Sequence, residues 1–410
     1  MDFYANFPPA SSASIRDMSL RDHVRLRPGM YIGGKDARSL HHLIYEVLDH
    51  MVEEALIGRC NDILIELRHN NEICLRDNSA GLPIGRYRDT PFTEMEVLLQ
   101  DLATSKHDLE PVAYQTVGGR HGLGLAAYQT VGGRHGLGLA AVNYLCDRFE
   151  VENYRDGTIW RQSYAHGKPV SPVRQTCDNA PNRTGTTFVF HPDYSILDQN
   201  DFDVVRIENR AREVAFLTPG LRVEVSDIRV DPAHKAVFHY SDGLKSLIAH
   251  CNANYHSFHE PVYIYQNISI PRTGKPDLVM GIQIAFQFSA GSGSYVRTYV
   301  NTDETPEGGT HLAALKSALL SCLNGYMEYY PEEFDEHTDF TWNEIAPGLA
   351  AVVSIHHPNP QYVGATKEEL GSVEVFGPIA GLVFEAFNWR HGVGKIVQHY
   401  LSRRNTLAIE

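Results

Sequence analysis

The stretch from Leu40 to Leu56, LHHLIYEVLDHMVEEAL, covers most of a helical surface with apolar side chains and leaves one polar stripe. Leu43, Ile44, Val47, Leu48, Met51, Val52, Ala55 and Leu56 recur at helical spacings, and Gly58 ends the run. At about 100° per residue, His42, Glu46, Asp49 and Glu53 share an arc of roughly 60°, with His50 just outside it. So wide an apolar arc predicts a helix buried on most sides, and a merely solvated face does not account for the stripe. A polar pocket lying over the stripe does.

The rest of the chain can supply a core around that helix. Its 410 residues suggest two or three domains, and 43% apolar with 21% charged residues exclude collagen, coiled-coil rods and wholesale disorder. Lys and Arg number 36 against 50 Asp and Glu, for a formal charge of −14, so contact with nucleic acid has to be a local patch. Apolar runs fall short of the roughly 18–20 residues a membrane span needs, and MDFYANFPPASSAS has no secretory pattern, which points to the cytoplasm and to no membrane partner. Cys60, Cys74, Cys146, Cys177, Cys251 and Cys322 contain no CxxC and are expected as reduced thiols. Cys251, His256 and His259 approach a metal spacing, without a fourth ligand nearby.

After the helix, DILIEL (62–67) and EICLRD (72–77) predict a hairpin that delivers Asp77 into the turn NSAGLP. Glycine and serine there let backbone pass close to a ligand, and a carboxylate accepting from an exocyclic amine suits a purine base. VGGRHGLGLAAVNYL (131–145) runs from glycines straight into a helical pattern, either a simple glycine-rich turn or an anion cradle suited to phosphate. Strict dinucleotide-fold and P-loop spacings are absent. AYQTVGGRHGLGLA occurs twice in tandem, at 113–126 and 127–140, a local duplication rather than a solenoid. Further on, YVRTYVN (295–301) and GLAAVVSIHHP (348–358) are expected strands. Thr310 is an expected N-cap, and Leu312, Leu315, Leu319, Leu323 and Tyr326 an apolar helical stripe, together an α+β second domain.

RPGMYIGG (27–34), YEVLDHMVEEAL (45–56), DNSAGLP (77–83), GGRHGLGLAAVN (132–143), RTGTTFVFHPD (183–193), GGTHL (308–312) and TKEEL (366–370) occur in this order. In that order and type they resemble the ATPase region of the gyrase B and topoisomerase IV B family, the ATP-dependent half of the type II DNA topoisomerases. The resemblance covers nearly the whole chain. It implies an N-terminal arm (1–20), a Bergerat-type (GHKL) ATPase α/β sandwich (21–234) and a transducer domain of ribosomal-protein-S5-like α/β type (235–410), α+β overall.

Carried over by residue, the resemblance makes Glu46 the general base for the attacking water, His42 its orienting histidine and Lys367 the lysine reaching the terminal phosphate. Asp77 matches the adenine-reading carboxylate, Thr186 its hydrogen-bonding partner, Gly81 the turn glycine and Arg155 an arginine at the pocket mouth. Asp49 and Glu53 on the polar stripe, and His50 beside it, are expected to face the nucleotide. Lys106 opens the phosphate lid, which Gly132, Gly133, His135, Gly136, Leu137 and Gly138 close at a helix start. The second copy of the duplication is taken as functional because it alone runs on into that helix. Tyr4 and Ile15 lie in the exchanging arm.

ATP is the implied cofactor, with Mg²⁺ beside it. Where the family has a metal-binding asparagine this chain has His50, whose imidazole is a poor ligand for a hard cation. Ser79 and Ala80 replace a glycine and an arginine, and Ala365 replaces a phosphate-sensing glutamine. The implied partners are a second copy on ATP binding (a homodimer), DNA through a local patch, and a topoisomerase A-type subunit or separate cleavage module, since the chain carries no cleavage domain. An ATP-hydrolysing clamp competes with a nucleotide- or protein-binding module that has lost turnover.

Overall fold

The structure is a computed structural model that describes residues 18–100, 138–176, 183–198, 201–274, 276–333, 339–364, 367–387 and 392–407. The predicted helix spans Ala37–Leu56, with Asp36 as its N-cap accepting from Ser39 N–H at 2.9 Å. Leu43, Val47, Leu48 and Met51 are fully buried, while His42, Glu46, Asp49, His50 and Glu53 are half-buried in the expected line. His41, by contrast, points into the core. Its Nε2 accepts from Asp203 N–H at 2.8 Å, which ties the helix to the start of the helix Val204–Leu217.

Among the described residues, nine strands form the first sheet. Its main path runs Lys168–Pro169, Thr158–Ala165, Cys146–Arg155, Gly185–Pro192, Ile73–Asp77, Asp62–Leu67, Arg222–Asp227, His234–His239, with Arg174–Thr176 beside Thr158–Ala165. Asp62–Leu67 and Ile73–Asp77 pair antiparallel as the predicted hairpin, joined through Asn70 and Asn71 at φ of 60° and 57°. Arg222–Asp227 then adds parallel to Asp62–Leu67. Ile65, Leu75, Phe149 and Phe188 pack with Leu43, Val47 and Met51 in one core, so the sheet covers the helix and leaves its stripe at the edge of the packing. Because Gly185–Pro192 lies between Ile73–Asp77 and Cys146–Arg155, residues more than 100 positions apart converge at one strand end.

The second sheet runs Val262–Ile270, Leu278–Phe288, Leu349–His356, Tyr295–Val300, Asp303–Glu304. Tyr295–Val300 and Leu349–His356 are parallel, and the helix Thr310–Tyr329 lies in the crossover between them. All eight residues of Leu349–His356 are buried, as a central strand requires. Leu315, Leu319 and Leu323 are buried from the helix side, with Leu312 and Tyr326 partly buried beside them. Thr310 does not cap this helix: Gly309, at φ 116°, is the N-cap, and Thr310 Oγ1 donates to Ser372 O at 2.8 Å.

The expected division at 234/235 falls at the start of the strand His234–His239, which pairs with Arg222–Asp227. Sheet pairing therefore carries the first unit through His239. Leu217, Leu244, Ile248, Ala285, Tyr299, Ala350 and Val352 form a smaller apolar cluster that joins the two units. Among the described residues, no helix is long and apolar enough to cross a membrane.

Candidate functional site

Asp77 closes its strand with 6% exposure, and its Oδ1 accepts from the N–H groups of Ser79 at 2.8 Å and Thr186 at 3.1 Å. Burial pushes this carboxyl up, against the pull of the hydrogen bonds from Ser79 and Thr186. The turn that follows is locked from both sides. Gly81 sits at φ 79°, and a Cβ there would lie 2.6 Å from both Asn153 Oδ1 and Tyr154 O. Fully buried Asn153 accepts from Leu82 N–H at 2.7 Å and donates to Leu82 O at 2.9 Å. Thr186 Oγ1 donates to Asn153 Oδ1 at 3.3 Å, and Arg155 Nη1 donates to Gly81 O at 2.7 Å. Gly185, at φ 120°, has no room for a Cβ against the Asp77 carbonyl.

Asp77, Gly81, Thr186 and Arg155 are thus brought together as expected from the sequence. Ser79, Asn153 and Gly185 complete the cluster, beyond the site residues that the sequence marks. Gly185 is visible there only as a member of the RTGTTFVFHPD segment, and Asn153 carries no local signal at all.

The helix stripe supplies the second half of the site. Gly138 opens the helix Gly138–Tyr144, and a Cβ on it would lie 2.5 Å from Glu46 Oε2, so the helix backbone runs directly against that carboxylate. His42 packs edge-on against Tyr45 with ring centroids 5.7 Å apart. Burial pushes Glu54 up; Arg59 opposes this, Asp77 adds to it and Arg155 opposes. Asp49 accepts from Arg210 Nη2 at 2.8 Å, and burial pushes its carboxyl up to about 6 against that pairing.

His50 stands edge-on to Phe188 at 6.4 Å, and its Nδ1 is 4.0 Å from Glu53 Oε2. Burial pushes the imidazole down to about 4, so it is neutral near pH 7. A neutral ring nitrogen is a poor partner for magnesium, which prefers oxygen, and among the described residues no group of three His, Cys, Asp or Glu is placed to hold a metal ion. At the position where the family has an asparagine, His50 does not fit Mg²⁺.

Lys367 Nζ lies 3.8 Å from Asp303 Oδ2 and 5.7 Å from the centroid of the Tyr362 ring. Lys106, Gly132, Gly133, His135, Gly136 and Leu137 lie outside the described residues, as do Tyr4, Ile15, Ala365 and the first copy of the duplication. Only the last three residues of the second copy, 138–140, are described, and they start the helix. His259 Nε2 accepts from Phe288 N–H at 3.0 Å, a structural use of the ring. The five described cysteines are free.

A family model described as histidine kinase-, DNA gyrase B- and HSP90-like ATPase matches residues 35–196, and one described as DNA gyrase B matches residues 243–390. The gyrase B protein of Clostridium acetobutylicum is 35% identical over 88% of this chain and 53% of its own length. That of Thermotoga maritima is 34% identical over 89% of this chain and 54% of its own. The chain therefore spans about half the length of the curated relatives it matches. Among solved structures, the 43K ATPase domain of Thermus thermophilus gyrase B, in complex with an aminocoumarin, superposes with a TM-score of 0.74 at 27% identity, covering 97% of this chain and 100% of that one. The ATP-binding domain of Francisella tularensis topoisomerase IV, in complex with a small-molecule inhibitor, gives 0.71 at 25% identity, covering 95% and 98%. With the carboxylate turn, the striped helix and the second α/β unit all in place, the chain belongs to the gyrase B family, as its GHKL-type ATPase unit followed by the transducer unit.

Proposed function

We propose that the chain binds and hydrolyses ATP and acts as a nucleotide-operated dimerisation clamp that couples nucleotide state to DNA strand passage. The observation that carries this reading is the pairing of two differently held carboxylates: Asp77, locked by two N–H groups at a strand end, and Glu46, on a polar stripe against the start of a helix. Asp77 accepts from the exocyclic amine of adenine, and Gly81 lets the base approach the turn. Glu46 takes a proton from the water whose oxygen bonds to the terminal phosphorus as the bond to the ADP oxygen breaks, and His42, one turn earlier, orients Glu46. Lys367 meets the developing charge on the terminal phosphate from the transducer unit. We divide the chain as an arm, an ATPase unit ending after His239 and a transducer, working in the cytoplasm. DNA through a local patch and a topoisomerase A-type subunit are its partners.

One observation favours a second reading, a module that binds nucleotide or a protein without turning nucleotide over: the neutral His50 occupies the position where the family has an oxygen ligand. Steady-state ATPase assays separate the two. Turnover that falls by about 10²-fold or more in Glu46→Ala, as loss of a general base requires, supports hydrolysis. No turnover above that of Glu46→Ala in the unsubstituted chain supports the second reading. A nonhydrolysable ATP analogue should also convert monomer to dimer in light scattering, and removal of residues 1–14 should abolish that shift.

A further inference from the structure

Arg210 joins elements that lie far apart in the chain. Its buried guanidinium donates to Asp49 on the helix that carries Glu46, to Glu213 at 2.6 Å, and to the carbonyl of Thr302 in the second unit at 3.1 Å. Asn301 and Thr302 have φ of 53° and 73°, the positive values that a two-residue hairpin turn between the paired Val300 and Asp303 requires, a region that Asn tolerates and a β-branched Thr rarely adopts. Side-chain contacts hold the turn there. Arg210 holds Thr302, while Asn301 donates to His357 O at 2.9 Å and accepts from His357 N–H at 2.8 Å. So fixed a turn presents its next residue, Asp303, to Lys367 at 3.8 Å, with Lys367 only 19% exposed.

Charge gives this contact a direction. Arg210 is hydrogen-bonded to Asp49 and Glu213 and its charge also acts on Asp303, while Lys367 is the cation in ion-pair contact with the Asp303 carboxylate. Opposite charges attract at this separation even with the carboxylate 36% exposed, and an incoming phosphate must compete with Asp303 for the same ammonium. We infer that Asp303 is a positioning residue that holds Lys367 in reserve, the ion pair being exchanged for the terminal phosphate when nucleotide binds. Arg210 fixes the geometry of that exchange relative to the helix bearing Glu46. The inference rests on the reading of Lys367 as a phosphate contact, and it makes nucleotide affinity depend on a carboxylate that never touches nucleotide.

The test is direct titration of the whole chain with a nonhydrolysable ATP analogue and with ADP, for Asp303→Asn, Asp303→Glu and Lys367→Ala. Releasing the lysine should tighten the analogue by about threefold or more in Asp303→Asn and leave ADP within about twofold, because only the triphosphate offers the terminal group. Asp303→Glu should return to the unsubstituted affinity. Labelling by an amine-reactive reagent, mapped by mass spectrometry, should rise at Lys367 in nucleotide-free Asp303→Asn. Unchanged or weaker analogue binding in Asp303→Asn, with Lys367→Ala still weakening it, overturns the holding role and leaves the phosphate contact standing. If Lys367→Ala leaves analogue affinity unchanged, the phosphate contact itself fails and the inference falls with it.

Discussion

The backbone of Gly138 runs so close to Glu46 that a single added methyl would stand 2.5 Å from the carboxylate oxygen Oε2. Glycine here is a matter of space rather than of backbone angle, and the space belongs to the candidate base. Gly138→Ala should therefore displace Glu46 and lower turnover by about 10- to 100-fold, since misplacement by about an ångström is costly to positioned catalysis. Nucleotide affinity should change far less. Parallel kcat and direct-binding measurements check this, and an equal loss in both would place the methyl's effect on the fold instead.

Asn153 should matter to stability more than its distance from any reacting atom suggests. Its side chain satisfies both the N–H and the carbonyl of Leu82, so Asn153→Ala strands two backbone groups beside a buried turn. The cost should be about 1–3 kcal/mol, read from urea denaturation, with nucleotide affinity falling as the Gly81 turn loosens.

Asp193 ties the helix Leu20–Leu26 to the first sheet, accepting from Arg25 at 2.6 Å and lying 2.9 Å from His166 Nδ1. Burial works against its charge, but the hydrogen bonds from Ser195, Arg25 and His166 outweigh burial and hold the carboxyl well below its usual range. A carboxyl held low in the folded state stabilises above its unfolded value near 3.8, and that contribution disappears as pH falls toward the folded one. Asp193→Ala should cost about 3 kcal/mol at pH 7 and much less near pH 2, a difference that denaturation midpoints across that range can follow.

His50→Asn restores an oxygen donor where the ring now stands edge-on to Phe188. Magnesium-dependent turnover should rise, because affinity for a hard cation follows oxygen ligation. A rate and Mg²⁺ dependence identical to those of the unsubstituted chain would mean that this position takes no part in metal use.

Local pattern accounts for much of what the structure contains. The stripe on Ala37–Leu56 is legible because a period of 3.6 residues is written within one helix, and Asp77 because alternation marks a strand and its end. Asn153 and Thr186 reach the same turn through sheet order, and no local period records which strands become neighbours. The link from Arg210 to Asp49 and Thr302 spans more than 90 residues on either side and is invisible in the sequence for the same reason. At His234–His239, edge placement leaves only Phe238 buried, so HKAVFH carries too little alternation to be recognised as the last strand of its sheet. Thr310 is chemically suited to cap its helix, but the tight approach of Gly309 to Leu370 shifts the cap by one residue.

The turn built on Asp77 is expected to receive the base of ATP, and titration with a nonhydrolysable ATP analogue checks this. Removing a buried carboxylate that faces the base amine leaves a donor unpaired, at about 1–3 kcal/mol, so Asp77→Ala should bind about tenfold or more weakly. Circular dichroism and denaturation midpoints near those of the unsubstituted chain would assign the loss to the site. Equal affinity in a folded Asp77→Ala would mean that the base of ATP does not bind at this turn.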